Sequence, residues 1–180
     1  AHEEGAFLLG ICGGYQMLGE SLEDPHEVES TLMVSRGLGL IPMKTILEQR
    51  KKTSLVEGES IPMESPVKGY EIHMGRSTFQ KDMQRPFLRI RENGEITEEG
   101  YFHEDERIMG TYLHGIFDNS GFTRKLLNLI RKRKGLGGMS EAPQDYWEQM
   151  EKELTLLAGT LRNTLDMEAI YEILHEYPHD

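Results

Sequence analysis

The chain has 180 residues, 37% hydrophobic and 28% charged, with a formal net charge of −11. That length fits one domain with a sizeable core, and the acidity argues against a nucleic-acid partner, whose phosphates need a basic surface. No apolar run approaches the roughly 20 residues that cross a bilayer, no signal peptide is recognisable, and a lone cysteine, Cys12, suits a reducing, cytoplasmic setting.

Phe7–Ile11 reads as a buried strand and Tyr15–Glu20 as a short helix, with small residues packed around Cys12 between them. Only a few residues precede that strand, whereas a nucleophile-bearing strand of an α/β fold is generally central. Residues 1–180 therefore read as one partial domain, the C-terminal piece of something longer. Ser21–Ser35 is polar and acidic and reads as a surface loop. Arg36–Met43 reads as a glycine-punctuated turn. Short strands follow at Lys44–Leu47, Lys52–Val56, Gly69–Phe79, Phe87–Arg91 and Gly100–His103, bounded by Gly58, Pro62, Pro66, Pro86 and the hairpin signal Asn93-Gly94. Arg107–Leu113 is a further strand, ending at His114-Gly115. Gly121–Lys134 carries Phe122, Leu126, Leu127 and Ile130 at helical spacing, and the basic run Arg131–Lys134 complements its C-terminal dipole. Beyond the break at Gly135–Ser140, Pro143 to about Leu165 predicts a longer helix and Met167–Leu174 a short last one.

The pattern Gly10-x-Cys12-x-Gly14 is the cysteine version of the strand–turn–helix elbow that lifts a nucleophile out of a sheet. Glycines suit the tight turn there, a helix N-terminus favours thiolate, and the Gly13 N–H is placed to donate to an oxyanion. The competing reading is a small core hydrophobe. A phosphate loop is not favoured, since no Lys-Ser/Thr follows the glycines. A cysteine nucleophile needs a base. Of seven histidines, His2, His26, His175 and His179 lie in polar or terminal stretches and His103 sits beside Glu104 and Asp105. His114, at the end of an apolar strand, is favoured over His73, which lies inside Gly69–Gly75.

Gly10–Gly19, Gly69-Tyr70-Glu71-Ile72-His73-Met74-Gly75 and Gly110-Thr111-Tyr112-Leu113-His114-Gly115-Ile116-Phe117, in that order, resemble the triad-type (class I) glutamine amidotransferases, and within them the cobyric acid synthase family. The resemblance covers nearly the whole chain. It implies that Cys12 attacks the side-chain amide of glutamine, that His114 serves as base and acid, that Gly13 donates to the oxyanion, and that Gln16 stands in the substrate pocket. His73 and Glu71 match a family block with either a structural or a ligand-contacting part. Many relatives follow the histidine with Pro-Glu; here Gly115 and Ile116 leave that carboxylate out, with Asp118 the candidate to supply it.

The architecture so implied is α/β, a flavodoxin-like class I glutamine amidotransferase fold, N-terminally truncated, with an antiparallel β extension. The elbow strand would have an open edge prone to association. No cofactor or metal is expected in this domain. The resemblance places ATP and Mg in an upstream synthetase domain that amidates a corrinoid acceptor for cobalamin biosynthesis, with glutamine the partner here and no membrane involved. The alternatives are the amidotransferase of cobyrinic acid a,c-diamide synthase, that of a complex amidating lipid II, a cysteine hydrolase acting on peptides, or a non-catalytic domain retaining the fold.

Overall fold

A computed structural model describes residues 5–80, 85–92, 94–140 and 146–176. His2, His179, Asn93 and the expected helix start at Pro143 lie outside them. The chain forms two compact units, Ala1–Pro143 and Gln144–Asp180. The first holds β1 (Leu8–Ile11), α1 (Gly13–Leu18), β2 (Ser21–Glu23), β3 (Val34–Arg36), β4 (Met43–Ser60), β5 (Ser65–Phe79), β6 (Leu88–Glu92), β7 (Glu95–Glu99), β8 (Tyr101–Phe102), β9 (Ile108–Thr111), a 3-10 turn at Ile116–Asp118 and α2 (Ser120–Arg133). The second holds α3 (Tyr146–Thr164) and α4 (Met167–Glu176), neither of which fully buries a residue. The architecture is mixed α/β, as the sequence predicts. None of the described helices is long and apolar enough to cross a membrane.

Two sheets position the chemistry. In the first, β1 runs parallel to β9, pairing Leu8 with Ile108 through to Ile11 with Thr111, and β8 pairs antiparallel with the other side of β9. Among the described residues no strand pairs with the free side of β1. β9 is buried on both faces, which is why Ile108-Met109-Gly110-Thr111 shows no polar alternation. Ile108 and Tyr112 pack with Tyr15, Leu18, Ile41, Met43 and Tyr101. Met109 and Leu113 pack with Phe87, Leu88, Ile116 and Phe122, so α2 covers that face.

The second sheet is built on β4, paired along most of its length with β5 and on its other side with β2 and β6; β3 and β7 complete it. Where the sequence predicts two strands, β4 is one. Its register against β5 jumps between Leu47 and Lys52, and the polar residues Glu48-Gln49-Arg50-Lys51 form the irregularity that reads as a turn. The expected loop Ser21–Ser35 is a hairpin at its ends, β2 and β3 pairing antiparallel. Its tip is gathered on Asp24, whose buried carboxylate accepts the N–H groups of Val28, Glu29 and Ser30 at 2.7, 2.9 and 2.9 Å. Burial opposes ionisation of Asp24, and those amide donors outweigh it, holding its pKa below the usual value.

One glycine fixes the contact between α1 and the sheet. A Cβ on Gly110 would lie 2.0 Å from Cδ2 of Tyr15, a ring with 1% exposure. Gly110→Ala is expected to destabilise the chain by about 3 kcal/mol, the upper end of overpacking costs. Urea unfolding measures it, and a loss well under about 1 kcal/mol would mean that Tyr15 can withdraw.

Candidate active site

The sequence drives β1 into a turn that only small residues tolerate. An added Cβ on Gly10 would lie 2.7 Å from the Gly14 oxygen and from Cα of Tyr15, so the strand and α1 meet backbone to backbone. Cys12 takes the strained angles at φ 52 and ψ −114, and its carbonyl accepts the first helical bond, from Gln16 N–H at 3.1 Å. Around Gly13 and Gly14 the space is open, and both residues are exposed. The Cys12 thiol donates to the Ile72 carbonyl at 3.6 Å.

The sequence leads one to expect a thiol tuned toward thiolate, yet the structure raises its pKa. Burial is the largest cause; the Gly13 N–H pulls the other way, and the Glu29 carboxylate adds to the rise. A six-residue helix does not offset that burial. Burial therefore favours the protonated thiol over the thiolate.

Cys12 and His114 lie beyond the same ends of paired strands. The Cys12 N–H donates to the Thr111 carbonyl at 2.9 Å, continuing the β1–β9 ladder by one residue. His114 follows Thr111 by three. Its backbone is held by an isolated bridge to β5: His114 N–H donates to Tyr70 O at 2.8 Å, and Tyr70 N–H to His114 O at 3.2 Å. The Tyr70 ring stacks on the imidazole with centroids 5.0 Å apart and planes 5° from parallel. The bridge needs Gly69, where a Cβ would come 2.0 Å from the His114 oxygen. Gly115 then turns the chain at φ 73, and Asn119 ties the turn to β5 through paired bonds with Lys68, each 2.9 Å. Nε2 of His114 is buried and, among the described residues, has no hydrogen-bond partner.

His73 is placed differently. Its Nδ1 faces the Gly75 carbonyl at 2.8 Å, so Nδ1 carries the proton, and its ring stacks on Tyr112 at 3.8 Å. Burial, the largest cause, holds its pKa below the usual value, and the Gly75 carbonyl works against that. Glu71 is buried and ion-paired with Lys52, which also reaches Glu92 at 2.9 Å. Glu71 and His73 line a cavity of about 540 Å³ with Lys52, Glu99, Tyr15 and Tyr112; neither Cys12 nor His114 lines it. Cys12 and His114 thus stand past adjacent strand ends, while Glu71 and His73 belong to the cavity.

Gln16 is buried, its amide Nε2 donating to the Tyr112 hydroxyl at 3.4 Å and pressed against Gly75. It braces α1 against β5 and the segment that follows β9. Asp118 sits on the 3-10 turn with its carboxylate beside Gly115, and among the described residues no hydrogen bond joins it to His114. Sequence reasoning passes over Glu99, Tyr70 and Asn119. Tyr70 lies inside a quoted block, and Asn119 stands at a helix start, so both carry a signal. Glu99 ends the acidic stretch Glu95–Glu99, which reads as solvated surface.

The profile of a family described as CobB/CobQ-like glutamine amidotransferase domain matches residues 1–122. The chain is 45% identical over 178 residues to a cobyric acid synthase from Clostridium novyi (strain NT), a match covering 97% of this chain and 35% of that protein. It is 42% identical over 186 residues to the cobyric acid synthase of Caldanaerobacter subterraneus subsp. tengcongensis, covering 97% and 36%. It is 40% identical over 172 residues to that of Clostridium acetobutylicum, covering 96% and 34%. The chain spans about a third of the length of the curated relatives it matches.

Proposed function

The chain belongs to the CobB/CobQ-like glutamine amidotransferase family, and from that premise we propose that it is the glutamine-hydrolysing part of a cobyric acid synthase. The ammonia it releases would serve a synthetase part that uses ATP and Mg to amidate carboxylates of a corrinoid. In this reading the chain itself needs no cofactor, and its finer architecture is the flavodoxin-like class I amidotransferase fold. The observation that carries the reading is the elbow: Cys12, at φ 52 and ψ −114, ends a strand whose parallel neighbour leads to His114.

Glutamine enters with its side-chain carboxamide over Cys12. His114 takes the thiol proton as sulfur bonds to the amide carbon, and charge gathers on the carbonyl oxygen, toward which the Gly13 N–H donates. His114 returns the proton to nitrogen, the C–N bond breaks, and ammonia leaves behind a glutamyl thioester. Water then gives a proton to His114 and cleaves the thioester, releasing glutamate and restoring the thiol. The raised pKa of Cys12 supports this order, because the thiol stays neutral until the base acts.

Treatment with diazo-oxo-norleucine, read by intact mass and peptide mapping, tests the reading. The expected result is one adduct on Cys12, suppressed by free glutamine and absent from Cys12→Ala. Labelling that glutamine does not suppress, or a folded chain with no labelling and no glutamine turnover, counts against it.

A further inference from the structure

We infer that Glu99 is a positioning residue that sets Cys12 and His114 together from the far side of β9. The inference rests on the glutaminase reading.

The reason lies in where the sheet stops. β8 pairs with β9 only at Tyr101 with Gly110 and Phe102 with Met109. At Gly100 the chain turns away with φ +78, where a Cβ would lie 2.5 Å from the Gly110 carbonyl oxygen. Beyond that point no backbone from β8 meets Thr111, Tyr112 or Leu113, and the Glu99 side chain takes the strand's place. Oε2 accepts the Thr111 hydroxyl at 2.6 Å, Oε1 accepts the Tyr112 N–H at 2.7 Å, and the Thr111 hydroxyl oxygen accepts the Leu113 N–H at 3.0 Å. One carboxylate so orders the three residues that lead into His114.

The same carboxylate reaches the nucleophile. Thr111, held by its hydroxyl on Glu99, gives its carbonyl to the Cys12 N–H at 2.9 Å. Tyr112, held by its N–H, carries the hydroxyl that meets Gln16 at 3.4 Å and Ser77 at 2.7 Å. The bridge from Tyr70 holds His114 from one side, and Glu99 fixes the approach to it from the other. A misplacement of about 1 Å at such groups costs on the order of 10²-fold in rate.

A carboxylate, though costly to bury, offers an acceptor to each of the two donors, whereas an amide offers an acceptor to one and a donor to the other. The groups facing it are Lys52 on β4, Glu71 on β5, Tyr15 on α1 and Tyr112 just past β9. Lys52 is engaged by Glu71 and Glu92. Burial, chiefly, pushes the Glu99 pKa up to about 7, against the pull of Thr111 and Tyr112. As pH falls through that value the carboxylate gains a proton and its grip on two donors weakens; above it the grip is complete.

Steady-state glutamine hydrolysis across pH by wild type, Glu99→Ala and Glu99→Gln tests the assignment. Glu99→Ala is expected to lower kcat by about 10²-fold with KM changed less than about threefold. Glu99→Gln, which keeps an acceptor for Tyr112 and a donor for Thr111, is expected to recover most of kcat. Its acid limb around pH 7 should be one proton less steep than that of wild type. A lower melting temperature with kcat unchanged, or the same limb in wild type and Glu99→Gln, overturns the inference, and the second comparison stands if Glu99→Ala fails to fold. Imidazole NMR signals of His114, assigned by their loss in His114→Ala, need no turnover. Glu99→Gln should shift them and leave those of His103 in place; unmoved signals overturn the inference. A wild-type chain inert toward glutamine overturns the glutaminase reading, and the NMR comparison still decides the role of Glu99.

Discussion

Cys12→Ala is expected to lower glutamine hydrolysis by roughly 10⁴-fold or more, the scale on which a covalent nucleophile's removal is felt. The fold should survive it. Cys12 is only half-buried, its thiol makes a single weak bond to Ile72, and the elbow is held by backbone groups, Cys12 N–H to Thr111 and Gln16 N–H to the Cys12 carbonyl. A second substitution separates function from packing more sharply. At φ 52 and ψ −114 a side chain is strained, and such strain amounts to about 1–3 kcal/mol. Cys12→Gly relieves it, and should raise stability by about 1 kcal/mol while abolishing turnover. A small core hydrophobe would behave in the opposite way, since trimming it opens space and lowers stability. Chemical denaturation and a coupled ammonia assay on the two variants read both quantities. An active Cys12→Ala would return Cys12 to the core reading.

What the sequence made legible was local. The elbow around Cys12, the apolar run of β9, the helix of residues 120–133 and the block Gly69–Gly75 all carry a period, a turn residue or a motif within one window. What it hid was set by partners distant in sequence. Gly69 and Gly110 read as ordinary strand glycines until His114 and Tyr15 are seen against them. Residues Lys44–Val56 read as two strands because the four polar residues between Leu47 and Lys52 look like a turn, whereas pairing with β5 carries the strand through them. Glu99 looks solvated because its neighbours Glu95 and Glu98 are exposed, and its inward role depends on a ladder that ends 12 positions later at Thr111. The thiol's raised pKa was hidden for the same reason. Helix-terminus arguments are local, and the burial that outweighs them is not.

His114→Ala is expected to cost about 10²–10⁴-fold in kcat/KM, the usual contribution of a general base, and His73→Ala no more than about tenfold. Both imidazoles present a buried Nε2 without a hydrogen-bond partner among the described residues, so that feature does not separate them. Their supports do. His73 is tied through Nδ1 to Gly75, stacked on Tyr112, and lines the cavity that Glu71 and Lys52 share and Cys12 does not. Its replacement should be felt mainly through the loosening of Tyr112 and Gln16. His114 is clamped by backbone to Tyr70, stacked by that ring, and follows the strand whose Thr111 carbonyl holds Cys12. The thiol keeps its proton at rest, so loss of the true base should also slow alkylation of Cys12 by the diazo reagent near pH 7. That slowing should shrink as pH rises toward the thiol's own pKa, where hydroxide deprotonates sulfur without help. This pH-dependent recovery in His114→Ala, and its absence in His73→Ala, identifies the base independently of steady-state rates. Recovery seen with His73→Ala instead would make His73 the general base.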